Sequence, residues 1–553
     1  MRHVRGPLLT VDVGQRETTE TDIEEVAAEF VGGRGVGTRL AYDRIPFDAD
    51  PLGPENRLIV ATGPLQTSNM SFTGRTSATA LSPLTDGLCS SNAGGFLSRN
   101  VADTGNAAIE IVGSSDEPLA VHVTDDGVDF EAVPELEGAP SSAVTEYVET
   151  HRGLDSDSIA CIGPAGENAV RFAAIMTTES RAFGRGGFGA VLGSKNVKLL
   201  TFSGDSPRSV ELPAVEMDVH REAATSDHIM RRQGTTSLTD LANEIEALPT
   251  RYFRDQSFEA VESINGDRVE SKKYKKGTCS ACAFACKLPT RDEERGIETE
   301  GPEFETVMSF GSNAGVDDIV DVMQANDRCD ELGLDTISCG DVVSAYLASQ
   351  DAFGDAELVV ELIEKIAHRD GIGDTLAEGI DRCHEELGVE NWSMKGMEFA
   401  AHDGRRLNGQ ALSFATANRG ADHLYGSMYA LEYPLVDNDA ALSPDGVEGK
   451  AAVLVEKENK NAVFDSAIAC KFSRGTLTRE RLATLLDTTV EALESIGGRI
   501  VDLERRFNNE RGFDRSDDDA LPYDIPGLEA ELESYYEIRG WDSEGVVPPD
   551  TIA

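Results

Sequence analysis

Three cysteines stand within eight residues of one another, Cys279, Cys282 and Cys286, in the segment CSACAFAC. At this spacing a tight turn brings three thiolates to one side of the chain, where they can hold three corners of an iron–sulfur cube. A structural zinc site is the alternative, but it normally shows two C-x2-C pairs or a histidine pair, and neither accompanies this segment. We therefore predict a [4Fe–4S] cluster, with Cys470 chosen as its fourth ligand. The other candidates are Cys89, Cys161, Cys329, Cys339 and Cys383.

Three segments are rich in glycine: VGGRGVG from Val31, SNAGG from Ser91 and SRAFGRGGFG from Ser180. The third matches the G-x-G-x-x-G pattern, but a dinucleotide site needs a long helix after it, and Gly193 soon interrupts the segment after this loop. Any one such loop can be only a tight turn. Exposed backbone N–H groups with arginine forks suit phosphate groups. Together the loops predict a large phosphorylated cofactor.

Acidic residues and one histidine form a further set of candidates. Glu303 and Glu305 lie in GPEFET, Asp330 and Asp335 lie in DELGLD, and His423 ends ATANRGADH. Each of these residues alone is weak evidence for a functional site, because aspartates beside glycine commonly cap helices and isolated buried histidines are commonly structural. The two glutamates can equally belong to a solvated face.

A lysine run, KKYKK at residues 272–276, directly precedes the cysteines. Charge runs are usually solvated loops. The alternative is a docking patch for an acidic electron carrier beside the cluster. The sequence leaves both interpretations open.

The 553-residue chain carries 99 acidic and 50 basic residues, a net charge of −49. This charge excludes general binding to nucleic-acid phosphates and docking on an anionic membrane. Because 40% of the residues are apolar, the chain can still build folded cores. An acidic surface poor in lysine predicts a halophilic protein that needs salt to screen its self-repulsion. With no transmembrane stretch or signal peptide, we expect it in the cytoplasm.

The elements that must position these residues change along the chain. Short apolar runs separated by turn residues predict strands at Leu8–Val13, Arg57–Thr62, Ala107–Val112, Leu119–Val123 and Val197–Phe202. After a linker at 203–214, apolar spacing of three and four residues predicts helices at Val316–Leu332, Ile337–Ser349, Ala356–His368, Thr375–Leu387 and Thr476–Asn508. We predict an α+β fold with domains 1–205, 206–395 and 396–553. The acidic tail from Asp514 is expected to wrap the surface.

The motifs GGRG, SNAGG, SRAFGRGGFGAVLGSKNVK, CSACAFAC, GPEFET, DELGLD, ATANRGADH and DSAIAC follow one another in an order that resembles the aldehyde:ferredoxin oxidoreductase family. The resemblance covers nearly the whole chain. It implies a β-rich N-terminal domain that forms the base for a tungsten or molybdenum bis-pterin, followed by two mostly α-helical domains. It also implies one [4Fe–4S] cluster near the pterin and Mg²⁺ bridging the pterin phosphates.

Family roles are transferred only onto matching positions. The resemblance implies cluster ligation by Cys279, Cys282, Cys286 and Cys470, and active-site roles for Glu305 and His423, with Glu303 as the alternative acid. The positions that it implies for pterin, phosphate or magnesium binding are Arg75, Asn92, Gly94, Gly95, Arg181, Ala182, Arg185, Asp330, Asp335 and Asp465.

The chain departs from the family's pattern in two places. In DSAIAC, Ile468 and Ala469 replace the Gly and Leu of a pterin motif. Gln324 and Asp327 replace the Glu and His that hold an interface iron in some members, so we expect no such iron and a monomer or homodimer.

The implied activity is oxidation of an aldehyde to a carboxylic acid, with electrons leaving through the cluster to ferredoxin. Two alternatives stay open. One is a member of the same family acting on another substrate, such as a sugar-phosphate aldehyde or an aromatic acyl thioester. The other is a non-catalytic iron–sulfur electron-transfer subunit.

Overall fold

The computed structural model describes residues 1–177, 180–206, 211–433, 441–473 and 475–551. The strands are β1 Leu8–Asp12, β2 Glu17–Thr21, β3 Leu58–Ala61, β4 Arg75–Leu81, β5 Leu88–Gly94, β6 Ala108–Val112, β7 Leu119–Val123, β8 Val128–Ala132, β9 Ile159–Cys161, β10 Ile175–Thr177, β11 Arg181–Phe183, β12 Val197–Phe202, β13 Pro289–Asp292, β14 Ile297–Glu300, β15 Ser393–Met394 and β16 Met397–Glu398.

The helices of the first half are α1 Glu24–Phe30, α2 Gly33–Arg44, α3 Leu97–Asp103, α4 Ser141–Arg152, α5 Pro164–Glu167, α6 Phe188–Ser194, α7 Val215–Thr225, α8 Met230–Gln233, α9 Thr239–Glu244 and α10 Gly266–Lys272. Those of the second half are α11 Phe304–Thr306, α12 Ile319–Leu332, α13 Thr336–Gln350, α14 Ala356–His368, α15 Ile372–Leu376, α16 Ile380–Leu387, α17 Asn408–Thr416, α18 Tyr429–Glu432, α19 Lys450–Ser466, α20 Arg479–Leu486, α21 Val490–Glu510, α22 Arg515–Asp518 and α23 Leu528–Arg539. A π-helical turn, Val307–Ser312, continues α11.

Two six-stranded sheets form the N-terminal part, in the orders β2-β1-β6-β3-β4-β5 and β11-β10-β9-β12-β7-β8. Each sheet is antiparallel except for one parallel pair, β1 with β6 and β12 with β7. The five strand segments expected from apolar runs are all present within one residue of their predicted ends. This confirms the β-rich N-terminal half of the predicted α+β fold.

The open end of the β4–β5 hairpin presents the residues expected to meet a cofactor. In its register Arg75 faces Gly94 and Ser77 faces Asn92. Because side chains alternate across a strand, Arg75 and Ser77 point to one face, together with Asn92 and Gly94 of the paired strand. The sheet therefore fixes this set of positions on one surface.

Two of the expected helices are each divided by a break. Gly379, with φ of +85°, separates α15 from α16 within Thr375–Leu387. Asp487, with φ of +56°, ends α20 within Thr476–Asn508. The apolar spacing runs through both breaks because each pair of helices packs on the same core, so periodicity alone missed them.

The C-terminal helices pack back onto the N-terminal part. Helix α2 lies against α19 and α21, where Arg34 of α2 donates to both carboxylate oxygens of Glu504 of α21, at 2.8 and 2.7 Å. Gly33 is required at this contact, because a Cβ there would lie 2.3 Å from the carbonyl oxygen of Asp465. The helical part is thus locked to the sheet domain.

The acidic tail does more than wrap the surface. Its helix α22 buries Asp518, which pairs with Arg505 at 3.0 Å and with Lys395 at 2.6 Å. Tyr535 and Tyr536 of α23 are also buried. The expectation of a surface wrap is therefore wrong for this part of the tail, because these pairs bind it into the helical core. Residues 207–210 of the predicted linker lie outside the described residues. Within the described part of the chain, no helix is long and apolar enough to cross a bilayer.

Candidate functional site

A cleft of about 150 Å³ lies between the β4–β5 hairpin and the C-terminal helices. Five cationic side chains and one acid line it: Arg34, Arg75, Arg185, Arg419, Lys471 and Asp465. Ser77, Ser91 and Asn92 add polar groups from the sheet. An excess of fixed positive charge in a chain of net charge −49 marks this cleft as a site for an anionic group.

Several buried polar atoms in this lining have no hydrogen-bond partner among the described residues. They are Ser77 Oγ, Asn92 Nδ2, Arg185 Nη1 and Arg419 Nε. Buried polar groups in proteins are nearly always paired, so a concentration of unpaired donors indicates a missing acceptor. The donor set therefore fits a phosphorylated pterin.

The loop GRGGFG, residues 184–189, supplies one wall of the cleft. Gly187 has φ of +73°, and a Cβ there would lie 2.1 Å from the carbonyl oxygen of Arg171, so only glycine fits. The turn places Arg185 so that it donates to the carbonyl oxygen of Glu398 at 2.7 Å and lies 3.2 Å from Asp335. Helix α6, which begins within this segment at Phe188, is only seven residues long, in agreement with our rejection of a dinucleotide site.

A second, more open groove of about 660 Å³ is lined by Ser180 and Arg181, whereas Gly184 and Arg185 line the first cleft. Asp330 also lines the second groove, and Arg181 forms an ion pair with Glu300 at 2.9 Å. Burial raises the pKa of Asp330 well above its ordinary value, and the neighbouring charge of Asp327 adds to the effect. Ala182 lies in β11, paired with Met176.

Two of the three aspartates that the resemblance implies for pterin binding, Asp335 and Asp465, already have protein partners. Asp335 caps helix α13 by accepting from the N–H groups of Ile337 and Ser338, which is the structural role that an aspartate at such a junction commonly has. Asp465 pairs with Lys471 at 2.8 Å and with Arg34 at 3.4 Å.

The structure brings Cys279, Cys282, Cys286 and Cys470 into one neighbourhood. The backbone of Phe72 contacts two of them, because its carbonyl accepts from the Cys470 N–H at 2.8 Å and its N–H faces the Cys282 sulfur. Burial raises the pKa of Cys282 and Cys286, and the charges of Cys470 and Cys279 raise it further. The arrangement suits four thiolates sharing a metal cluster.

The glycines of SNAGG make room for this cysteine loop. A Cβ on Gly94 would lie 3.2 Å from Cys279 Sγ, and the carbonyl of Gly95 accepts from the N–H of Ser280 at 2.9 Å. Arg75 connects the loop to the cleft, with Nη1 3.8 Å from Cys470 Sγ and Nε donating to Asn92 at 2.5 Å.

Only part of the lysine run is free to meet a partner. Lys272 pairs with Asp292 at 2.5 Å, and Lys273 donates to the carbonyl of Arg231 at 2.9 Å. Lys275 and Lys276 are exposed and line the second groove with Tyr274. The candidate docking patch therefore contains two exposed lysines, Lys275 and Lys276, and not the four that the sequence suggested.

Glu305, and not Glu303, lies beside His423. The Oε1 atom of Glu305 is 3.2 Å from Nε2 of His423, and its Oε2 atom accepts from the N–H of Ala401 at 2.7 Å. Glu303 instead accepts from Lys287 at 3.0 Å and from Thr235 at 2.6 Å.

His423 lies in a charged segment that leads directly into the first cleft. Its neighbours Leu424 and Tyr425 line the cleft. Burial alone would raise the pKa of Asp422, but Arg419 outweighs burial and holds it well below the ordinary value. The Arg419–Asp422 pair therefore stays ionised and fixes the segment that carries His423.

A second histidine, His402, was missed by the sequence analysis. Its Nε2 lies 3.5 Å from Glu305 Oε1, and its ring stacks on Tyr429 with 3.7 Å between centroids. It follows Ala401, whose N–H binds the same carboxylate. Nothing in its local sequence sets it apart from the other eight histidines. Because 97 residues separate it from Glu305, their contact could not be read from sequence spacing.

Two family models together match nearly the whole chain. The model described as aldehyde ferredoxin oxidoreductase, N-terminal domain, matches residues 8–204, and that for domains 2 and 3 matches residues 214–553. The tungsten-containing aldehyde ferredoxin oxidoreductase of Pyrococcus furiosus is 33% identical over 100% of this chain and 98% of its own length. The protein of the same name from Thermococcus kodakarensis is also 33% identical, over 98% and 97%.

Other similar proteins have different names. The aliphatic sulfonate oxidoreductase, WOR-like subunit, of Pyrococcus furiosus is 27% identical over 98% of this chain and 95% of its own. Among solved structures, the active-site complex BamBC of benzoyl coenzyme A reductase with 1,5-dienoyl-CoA matches with a TM-score of 0.84 and 21% identity. That match covers 100% of this chain and 97% of the other, and it supports the fold alone.

Proposed function

The chain belongs to the aldehyde ferredoxin oxidoreductase family, and from this membership we propose that it oxidises an aldehyde to a carboxylic acid at a tungsten–pterin centre. The electrons pass to ferredoxin or a similar one-electron carrier. The choice of aldehyde rests on relatives named for that activity at 31–33% identity, whereas the sulfonate-named relative is more distant at 27%.

The observation that carries the proposal is the Glu305–His423 pair, whose histidine directly precedes Leu424 and Tyr425 of the arginine-lined cleft. The Glu305–His423 contact at 3.2 Å is shielded from solvent, and His423 Nδ1 is buried without a partner among the described residues. A carboxylate held beside an imidazole with one unpaired nitrogen suits proton transfer to and from a bound carbonyl compound.

The reaction adds water to the carbonyl carbon, RCHO + H₂O → RCOOH + 2H⁺ + 2e⁻. Glu305 accepts a proton from the attacking water while the new C–O bond forms. His423, when doubly protonated, donates from Nε2 to Glu305 and from Nδ1 to the carbonyl oxygen, which stabilises the negative charge that develops there. When bound, the tungsten–pterin group supplies a Lewis acid and the acceptor for the two electrons.

The chain's own residues account for how these groups are held. We assign the pterin phosphates to the unpaired donors of the first cleft, above all Asn92 and Arg185, with Arg75 between this cleft and the cysteines. We assign a [4Fe–4S] cluster to the four clustered cysteines. A bridging Mg²⁺ remains a prediction.

We place the carrier at the exposed lysines beside the cysteine loop. Lys275 and Lys276 offer exposed positive charge close to the cysteines in the chain, which suits contact with an acidic carrier. Reduced thiols and such a carrier are expected of a cytoplasmic enzyme. A monomer or homodimer without an interface iron at Gln324 and Asp327 also remains a prediction.

Glu305→Gln tests the function directly, because it keeps the shape of the side chain and removes the proton acceptor. We expect aldehyde-dependent dye reduction to fall by about 10²–10⁴-fold. Tungsten and iron per chain, measured by elemental analysis, should remain those of the wild type.

Glu303→Gln is the matched control, since it makes the same change two residues away in a group bound to Lys287. We expect it to keep activity at neutral pH within a few-fold. Full activity in Glu305→Gln would move the base elsewhere. Iron without tungsten in the wild-type protein would instead favour the non-catalytic electron-transfer subunit.

A further inference from the structure

We propose that His402 is a positioning residue that holds Glu305 in the orientation needed to accept a proton, and that Tyr433 fixes which nitrogen of His402 carries the hydrogen. This inference rests on the proposed function of Glu305. It concerns a side chain that neither the sequence motifs nor the family comparison singled out.

Three groups surround the Glu305 carboxylate. The Ala401 N–H donates to Oε2 at 2.7 Å, while Nε2 of His423 and Nε2 of His402 lie 3.2 and 3.5 Å from Oε1. His402 is 2% exposed, so solvent cannot replace it. Hydrogen bonds in catalytic sites are often long before substrate binds, and such contacts shorten in the reacting complex.

The backbone at His402 is arranged to aim its ring at Glu305. Its φ is +74°, in the left-handed region that residues other than glycine uncommonly adopt and that histidine, asparagine and aspartate adopt more often than the rest. Strained backbone of this kind persists where the surroundings fix it, and it is concentrated at functional sites. The turn directs the Ala401 N–H and the His402 ring, from consecutive residues, to the two oxygens of one carboxylate.

Tyr433 determines the tautomer. Its hydroxyl lies 2.9 Å from His402 Nδ1, the nitrogen remote from Glu305. When the hydroxyl donates to Nδ1, the hydrogen of neutral His402 sits on Nε2 and faces the carboxylate. The other tautomer would press a nitrogen lone pair against a carboxylate oxygen in a buried site, which is unfavourable.

His402 is well suited to remain neutral in this role. Burial lowers the pKa of His402 well below 6.5, and the charge of His423 lowers it further. Stacking on Tyr429 at an interplanar angle of 5° fixes the ring plane. His402 thus acts as a fixed donor, while His423, which lacks a partner on Nδ1, remains the residue for substrate.

One carboxylate oxygen of Glu305 and one ring nitrogen each of His402 and His423 lie within 4.8 Å of one another. Such a set of atoms could also bind a divalent metal ion. Imidazoles that bind metals normally donate their second N–H to an acceptor. His402 has Tyr433 in that position, but His423 Nδ1 has no partner among the described residues. These contacts favour the hydrogen-bonded arrangement.

The test uses the holoenzyme with three substitutions. His402→Leu removes both nitrogens, His402→Gln keeps a neutral amide donor near the position of Nε2, and Tyr433→Phe removes only the tautomer-fixing hydroxyl. His122→Gln and Tyr535→Phe are matched controls, because both are buried and bonded to a carboxylate far from this site in sequence. Tungsten and iron content is measured for each protein.

We expect His402→Leu to lower kcat by about 30–100-fold with KM little changed, since misplacing a catalytic group by about 1 Å costs that much. The acid limb of the kcat/KM profile should move to higher pH. The kcat of His402→Gln should be about tenfold higher than that of His402→Leu. The kcat of Tyr433→Phe should be less than tenfold below the wild-type value, and the two control variants should have the wild-type kcat.

A measurement without substrate separates this inference from the proposed function. In infrared difference spectra, the carboxylic acid band of Glu305 is identified as the band that is absent from Glu305→Gln. This band should persist to higher pH in His402→Leu than in the wild type. Among the described residues, the titratable groups that contact Glu305 or interact with its charge are His402, His423, Tyr433 and Asp341, and that variant retains all of them except His402.

The infrared shift supports the inference even if the protein oxidises no aldehyde. Three results would overturn it: an unchanged band and pH profile in His402→Leu, an effect confined to KM, or loss from that variant of a zinc or iron ion additional to the cluster. If His402→Leu fails to bind its cofactors, the same kinetic, pH-profile and infrared measurements on Tyr433→Phe and His402→Gln test the inference.

Discussion

Two glutamates separated by one residue end in different chemical environments. Glu305 lies between two histidines, whereas Glu303 is bound by Lys287 and Thr235. The reason is local: Glu303 precedes the short helix α11 and Glu305 lies within it, so successive side chains point in different directions. The sequence could nominate both residues but could not choose between them.

Glu303 provides a prediction about pH. Burial alone would raise its pKa, but Lys287 and Thr235 outweigh burial and lower it from 4.5 to about 2. A carboxyl whose pKa is lower in the folded state stabilises the fold above about pH 4.5. That contribution disappears as the pH falls towards 2.

Glu303→Gln should therefore reduce the free energy of unfolding at pH 7 by about 1–3 kcal/mol, and by less as the pH falls below 4.5. The lower end applies because 32% of this side chain is exposed to solvent screening. Denaturant unfolding at pH 3–7 measures the difference, with exposed Glu244→Gln as control. A difference that did not shrink at low pH would mean that packing, and not charge, is lost.

At the scale of elements, the segment after α19 joins the cofactor cleft to the cysteines. Asp465 and Lys471 line the cleft, and Cys470 lies between them with its N–H bound to Phe72. The replacement of Gly by Ile468 is accommodated in a turn with φ of +60°. The altered motif keeps Asp465 and Cys470 at the cleft, although this φ lies in the region that favours glycine and strains a β-branched residue.

Cys470→Ala should lower iron from about four atoms per chain, because a cubane cluster needs four protein thiolates. Elemental analysis and the visible absorption of the purified protein measure the loss. Cys383→Ala is the control, since Cys383 is 1% exposed on helix α16 and lies outside this group. Equal iron in both variants would show that the fourth ligand is another residue.

At the scale of the whole molecule, charge is distributed unequally between surface and interior. The chain carries an excess of 49 acidic charges. Its buried arginines and lysines nevertheless line the first cleft or form internal ion pairs, such as Arg34–Glu504 and the contact of Lys395 with Asp518 of the tail. The acidic surface repels itself, whereas the interior pairs are shielded from salt.

Stability should therefore rise with salt. Raising KCl from 0.1 to 2 M shortens the Debye length from about 10 Å to below about 3 Å, which removes most surface repulsion. We expect the thermal midpoint to increase over this range, with most of the gain below about 1 M. Sucrose, which is excluded from surfaces without screening charge, is the control. A midpoint that fell with KCl would refute the halophilic assignment.

The sequence by itself determined the fold class, the β-rich half and the identity of the cysteine and glycine motifs. These features depend on local periodicity, turn chemistry and short spacing, which a linear chain displays directly. Helix breaks at Gly379 and Asp487 were hidden because apolar spacing continues across them.

Only the tertiary structure decided which of the candidate side chains meet. It placed Glu305 against His423, added His402 from 97 residues away, paired two of the four lysines and buried Asp518 of the acidic tail. These outcomes depend on contacts between distant segments, whose geometry is set by packing of the whole core. No local pattern carries that information.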